Sequence, residues 1–242
     1  MSKMKLYRPA IAMIELIFAI VIMGIILMSA PLLISTAAKS GYVAIQQESI
    51  NEAASRVNMI MGFHWDENSA DETILDPILQ TGSPVTDLAE STYTDGNLTG
   101  RRIGTPRESY RSFVRPDGNR SAATPAVALG NDGSENDVDD FMGTIGLILS
   151  GDGGFEDYIE KNVTIVTEVS YISDGNDGYY NTGNTINFDA NFTQALGSTT
   201  SIKRISTTLT SDAASPDELD KTITLHAFSC NIGGYKLEER DF

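Results

Sequence analysis

One cysteine, two histidines and one tryptophan are all that 242 residues contain of those types. With Cys230 alone, no internal disulfide can form, so the folded part must be held by its core. Cys230 itself reads as a small buried hydrophobe. His64 and His226 are the only imidazoles, which leaves little for a metal site or a nucleophilic triad. G-x-S-x-G, P-loop, HExxH and paired-cysteine patterns are all missing. His64 stands beside Asp66 and Glu67, and that group reads as solvated charge near a helix end. Basic charge is scarce too: 17 Lys and Arg face 33 Asp and Glu, for a net charge of -16. So acidic a body repels phosphate backbones, and no nucleic-acid partner is expected. These absences favour a non-enzymatic chain without metal or cofactor.

The most informative feature lies at the start. Residues 11–34 read IAMIELIFAIVIMGIILMSAPLLI, and Glu15 is their only charge. At helical rise they span about 36 Å, enough for a hydrocarbon core of about 30 Å. Lys3, Lys5 and Arg8 precede them without an acid, so the positive-inside rule puts residues 1–10 in the cytoplasm. No second apolar run of this length follows. A secretory signal peptide is the plain alternative, with Ser29-Ala30 or Thr36-Ala37-Ala38 as cleavage sites. Its apolar region, however, is ordinarily about 7–15 residues long. Glu15 is the larger objection, because a carboxylate at membrane depth costs roughly 2.5–3.5 kcal/mol and needs a partner. No cation nearby in the chain supplies one.

Arg8-Pro9-Ala10 followed by Ile11-Ala12-Met13-Ile14-Glu15-Leu16 resembles the class III signal of type IV prepilins and pseudopilins. The resemblance covers about 25 residues and implies a short leader, residues 1–10, removed between Ala10 and Ile11 by prepilin peptidase. It further implies methylation of the new Ile11 amine, with Glu15 as the fifth mature residue. In that family this carboxylate is thought to pair with the N-terminal amine of a neighbouring subunit. The family usually has glycine before the cut and phenylalanine after it; here Ala10 and Ile11 stand there. Gly24 and Pro31 occupy positions where assembled pilins loosen their helix. A kink near Pro31 also follows from proline itself, which lacks an N–H and crowds the preceding turn.

Beyond the membrane, residues 35–62 carry Val43, Ile50 and Val57 at intervals of seven, with Ala53, Ala54, Ile60 and Met61 on the same stripe. Gln46, Gln47, Glu48, Asn51, Glu52 and Arg56 take the other face. This predicts an amphipathic continuation of the helix, roughly 75 Å long in all, with its stripe on a sheet. A coiled-coil stalk needs more heptads than are present. Phe63 and Trp65 should pack beneath that sheet.

Residues 63–242 form the expected head. Ser69–Gly154 is turn-rich, with short strands and a small helix near Phe141–Leu149. Arg101, Arg102, Arg107, Arg111, Arg115 and Arg120 cluster before Asp132, Glu135, Asp137, Asp139 and Asp140. The two clusters face each other or are solvated; alternatively, one meets a neighbouring subunit and sets its register. Asn136–Gly143 resembles an acidic-aromatic stretch of some minor pilins of the mannose-sensitive haemagglutinin type. Period-two strands follow at Val163–Ile172, Lys203–Leu209 and Thr222–Phe228. Asp174–Gly178 looks like the start of a calcium loop without its closing glutamate, and is read as a turn.

The fold expected is α+β: a long N-terminal helix packed on a C-terminal antiparallel sheet. By resemblance the chain is a minor pilin or pseudopilin of a type IV pilus or type II secretion system. Its expected partners are prepilin peptidase, other pilin subunits, the inner-membrane assembly platform and membrane lipid. The expected location is the inner membrane, single-pass, with the C-terminal domain in the periplasm. A signal-anchored periplasmic binding or sensor domain is the competing reading, and an exported enzyme a weaker one.

Overall fold

A computed structural model describes residues 8–70, 75–82, 88–152, 158–173, 194–211 and 222–234. A single helix, α1 (Arg8–Ile60), runs for 53 residues and contains Pro31. Helical assignment continues through both Gly24 and Pro31. Pro31 has no amide to give the Leu27 carbonyl, so the ladder loses one rung there. Nearby hydroxyls turn back on the helix: Ser29 Oγ donates to the Ile26 carbonyl at 3.0 Å, and Thr36 Oγ1 to that of Leu32 at 2.8 Å.

Two antiparallel sheets follow. A small hairpin joins β1 (Glu90–Thr92) to β2 (Leu98–Arg102). The main sheet is a four-stranded meander of β3 (Gly143–Asp152), β4 (Tyr158–Tyr171), β5 (Ile202–Ser211) and β6 (Ile223–Cys230), paired in that order. The layout is therefore α+β. Ile165 lies opposite Leu209, Val169 opposite Ile205, and Ile205 opposite Ala227. Side chains alternate across a strand, so these odd-numbered residues share one face, and α1 covers it.

Packing follows chain order along that face. Ala53 meets Val163, Ile165 and Leu209. Val57 and Ile60 meet Val169, Ile205 and Ala227, together with Val138 and Phe141. Beyond the helix, Trp65 packs with Tyr171, Leu79 and Ala123. Each fully buried aliphatic side chain contributes about 1.5–3 kcal/mol against the entropy of ordering it. Of the expected stripe, Ala53, Val57 and Ile60 are buried, whereas Val43 and Met61 are exposed. Phe63 and Trp65 do pack beneath it, Phe63 against Phe141 with ring centroids 4.5 Å apart.

Three expectations are corrected. The segment near Phe141–Leu149 is not a helix: Gly143–Asp152 is β3, paired along its whole length with β4. Gly143 and Gly146 would weaken so short a helix, while Ile145 and Leu147 alternate with exposed Thr144 and Gly146. Cys230 is exposed rather than buried, since its even position in β6 turns it from the face under α1. Asp66 is fully buried rather than solvated. The calcium-like stretch Asp174–Gly178 lies outside the described residues.

Candidate functional site

The apolar half of α1 is uncovered among the described residues. Every residue from Met13 to Ala37 is exposed, and α1 is long and apolar enough to cross a membrane. Ala10 and Ile11 fall in the first turn of that helix. Glu15 projects from the bare stretch, with Phe18 and Ala19 one turn further on. Among the described residues it has no ion pair. Gly24 and Pro31 lie on the same uncovered segment, away from the sheet. The sequence-predicted residues thus share one helix but form no pocket, and what they offer is a surface.

A second constellation is enclosed in the head. Lys203 opens the inward face of β5 and is fully buried, as is Asp66. Its Nζ lies 3.0 Å from Asp66 Oδ2 and 2.5 Å from Asp139 Oδ1. Trp65 and Tyr171 rings flank it, with centroids 4.8 and 5.6 Å from Nζ. Asp66 also accepts the Asn68 amide at 3.1 Å, the Thr124 amide at 3.0 Å and the Thr124 hydroxyl at 3.0 Å. Tyr171 donates its hydroxyl to the Thr124 carbonyl at 2.6 Å; burial first, then the Asp66 charge, hold that hydroxyl protonated.

The acidic loop supplies the other carboxylates. Asp139 Oδ2 accepts the Gly130 amide at 3.1 Å. Asp137 Oδ1 accepts the Asp139 amide at 2.8 Å, and Asp140 Oδ2 the amides of Asn136 and Asp137 at 2.9 and 3.0 Å. Burial, reinforced by the Asp139 charge and opposed by Lys203, raises the Asp137 carboxyl to about 7. The acidic loop is thus solvated only in part: Asp132 and Glu135 are exposed, whereas Asp137, Asp139 and Asp140 are buried and meet their own backbone and Lys203.

The arginine stretch is occupied elsewhere. Arg120 pairs with Glu90 at 2.9 Å. Arg102 donates to the carbonyls of Leu88 at 2.8 Å and Asn231 at 2.6 Å, and lies over the Phe113 ring. Burial lowers its guanidinium to about 10, so it remains charged at neutral pH. His64 Nδ1 lies 2.8 Å from Asp76 Oδ2.

Sequence reasoning missed the Lys203 centre, although a signal was present. The alternation Lys203, Ile205, Thr207, Leu209 puts a lysine on the apolar face, and a charge there requires partners. No family model, curated protein or solved structure matches the chain.

Proposed function

We propose that this chain is a type IV pilin-like structural subunit, a minor pilin or pseudopilin, of a type IV pilus or type II secretion pseudopilus. One observation carries the reading: a helix whose apolar half is bare from Met13 to Ala37 and carries a single carboxylate, Glu15, without an ion pair among the described residues. A lipid bilayer covers the apolar side chains but leaves the carboxylate unpaired, at a cost of roughly 2.5–3.5 kcal/mol. Packing against the same helix of neighbouring subunits covers both, with the amine of a cleaved Ile11 as the counter-ion. The chain then enters the inner membrane with residues 1–10 cytoplasmic, is cut between Ala10 and Ile11, and is drawn into the fibre through α1. The head, held on α1 by Ala53, Val57 and Ile60, decorates the outside. Its turn-rich middle exceeds what a small major subunit needs, which favours a minor role.

The test is mass spectrometry of the mature N-terminus in a host that makes prepilin peptidase. A chain beginning at methylated Ile11 is the expected result. An uncut Met1, or cleavage near residue 38, would falsify the reading and leave a signal anchor or signal peptide.

A further inference from the structure

The Lys203 centre buries charge that ion pairing does not remove. Asp66, Asp137 and Asp139 surround one ammonium, and all four residues are at least 97 % buried. Buried charges are costly even when paired, and joining the ammonium to one carboxylate removes two of them. An ammonium in contact with a carboxylate, closed from water, is also the reactant pair of an amide. We propose that Lys203 and Asp139 condense into an intramolecular isopeptide bond joining the acidic loop to β5.

The geometry assigns the parts. Asp139 is the acyl partner because its Oδ1 is the carboxylate oxygen nearest Nζ, at 2.5 Å. Asp66 is held in place by two backbone amides and the Thr124 hydroxyl, so that it orients Nζ and takes a proton from it. Asp137 shares a hydrogen bond with the Asp139 carboxyl, and burial keeps a proton on it near neutrality. It delivers that proton to the departing Asp139 oxygen. The nitrogen lone pair attacks Cγ of Asp139, and one C–O bond breaks as the C–N bond forms. Two of the three ammonium protons leave with the released oxygen as water, and the third stays on the amide nitrogen. Asp66 and Asp137 relay those protons and end as they began, so neither oxidant nor cofactor is needed. Fixing both partners in one site removes the entropic barrier that makes such condensation negligible between free groups. Trp65 and Tyr171 cover the site and keep hydrolytic water from it.

The bond spans 64 residues of sequence in a chain whose one cysteine allows no internal disulfide. It does not depend on the filament reading, since the centre lies wholly within the head.

Mass spectrometry tests it directly on the full-length chain, purified in detergent, denatured and digested. The expected result is a branched peptide linking Lys203 to Asp139, lighter by one water than the two separate peptides, with no tryptic cut after Lys203. Lys203→Arg should yield only unbranched peptides. Asp139→Asn should yield the same branched product as the native chain, because ammonia then leaves in place of water. A native Lys203 that reacts fully with an amine reagent after denaturation, in peptides of full mass, overturns the proposal. So does a branch to Asp66 in place of Asp139. The native chain alone decides, so a variant that fails to fold does not obscure the outcome.

Discussion

Lys203 and Asp66 lie 137 residues apart in the chain and meet at 3.0 Å with neither exposed to solvent. Lys203 belongs to the sheet, and Asp66 begins the short 3-10 turn Glu67–Ser69 that follows α1. Their contact, with Trp65 over the ammonium and its indole N–H on the Ser229 carbonyl at 3.1 Å, fixes how the chain leaves the helix and enters the head.

Asp66→Ala should therefore loosen more than one interaction. The amides of Asn68 and Thr124 lose a buried acceptor, and each unsatisfied donor costs about 1–3 kcal/mol. Urea unfolding of the head, followed by Trp65 fluorescence, should show a loss of about 3 kcal/mol. A loss below about 1 kcal/mol, the size of an exposed pair, would show that Asp66 does not anchor the turn.

Asp137 gives the head a pH dependence of definite sign. Its folded value, about 7, lies above the ordinary 3.8. Its favourable contribution is thus complete below 3.8 and is lost as pH rises through about 7. Burial is the first cause and acts whether Lys203 and Asp139 are ions or joined. Asp137→Asn keeps Oδ1 for the Asp139 amide but removes the titration. Its Tm should vary less than that of the native chain between pH 4 and pH 8, by the equivalent of on the order of 2–4 kcal/mol. Parallel Tm profiles for the two proteins would contradict the assignment.

The long helix and three strands of the main sheet were legible in the sequence because each carries a recurring apolar period. Ile205 and Leu209 alternate with Arg204, Ser206 and Thr208, and Ala53, Val57 and Ile60 recur at helical spacing. β3 was not legible as a strand, because Ile145-Gly146-Leu147-Ile148-Leu149 is a short apolar run whose period is ambiguous until β4 pairs with it. The acidic loop misled for a different reason. Its charge suggested solvent, yet Asp137, Asp139 and Asp140 turn inward because their own backbone amides and a distant lysine solvate them. Only tertiary structure brings Lys203 there, from 64 residues away.

Core substitutions should separate the two halves of the chain. Ile205 is fully buried between α1 and the sheet, so Ile205→Ala should cost about 2–5 kcal/mol of head stability in urea unfolding. Val127, 94 % exposed, should change it by less than about 0.5 kcal/mol on the same substitution. Leu27→Ala, on the bare part of α1, should leave the unfolding midpoint of the head unchanged. A shift comparable to that of Ile205→Ala would mean that the apolar half is covered by the head after all.

On the pilin-like reading proposed above, Glu15 should separate membrane insertion from assembly, because the two would respond to it with opposite signs. Removing its charge in Glu15→Leu relieves roughly 2.5–3.5 kcal/mol of insertion cost, so the variant should enter membranes at least as well as the native chain. Cleavage after Ala10 should persist, since the change lies five residues beyond the cut. If a neighbouring Ile11 amine is the counter-ion, however, incorporation into sheared filaments should fall by tenfold or more, the effect of losing about 1.4 kcal/mol or more per subunit contact. Glu15→Asp keeps the charge and should retain part of the incorporation. Immunoblots of membrane and filament fractions read both quantities from one culture. Equal loss from both fractions would indicate a folding defect, whereas unchanged incorporation would remove Glu15 from the assembly contact. A stable membrane pool with empty filaments is the pattern expected if Glu15 is a carboxylate at membrane depth that takes its partner from another subunit.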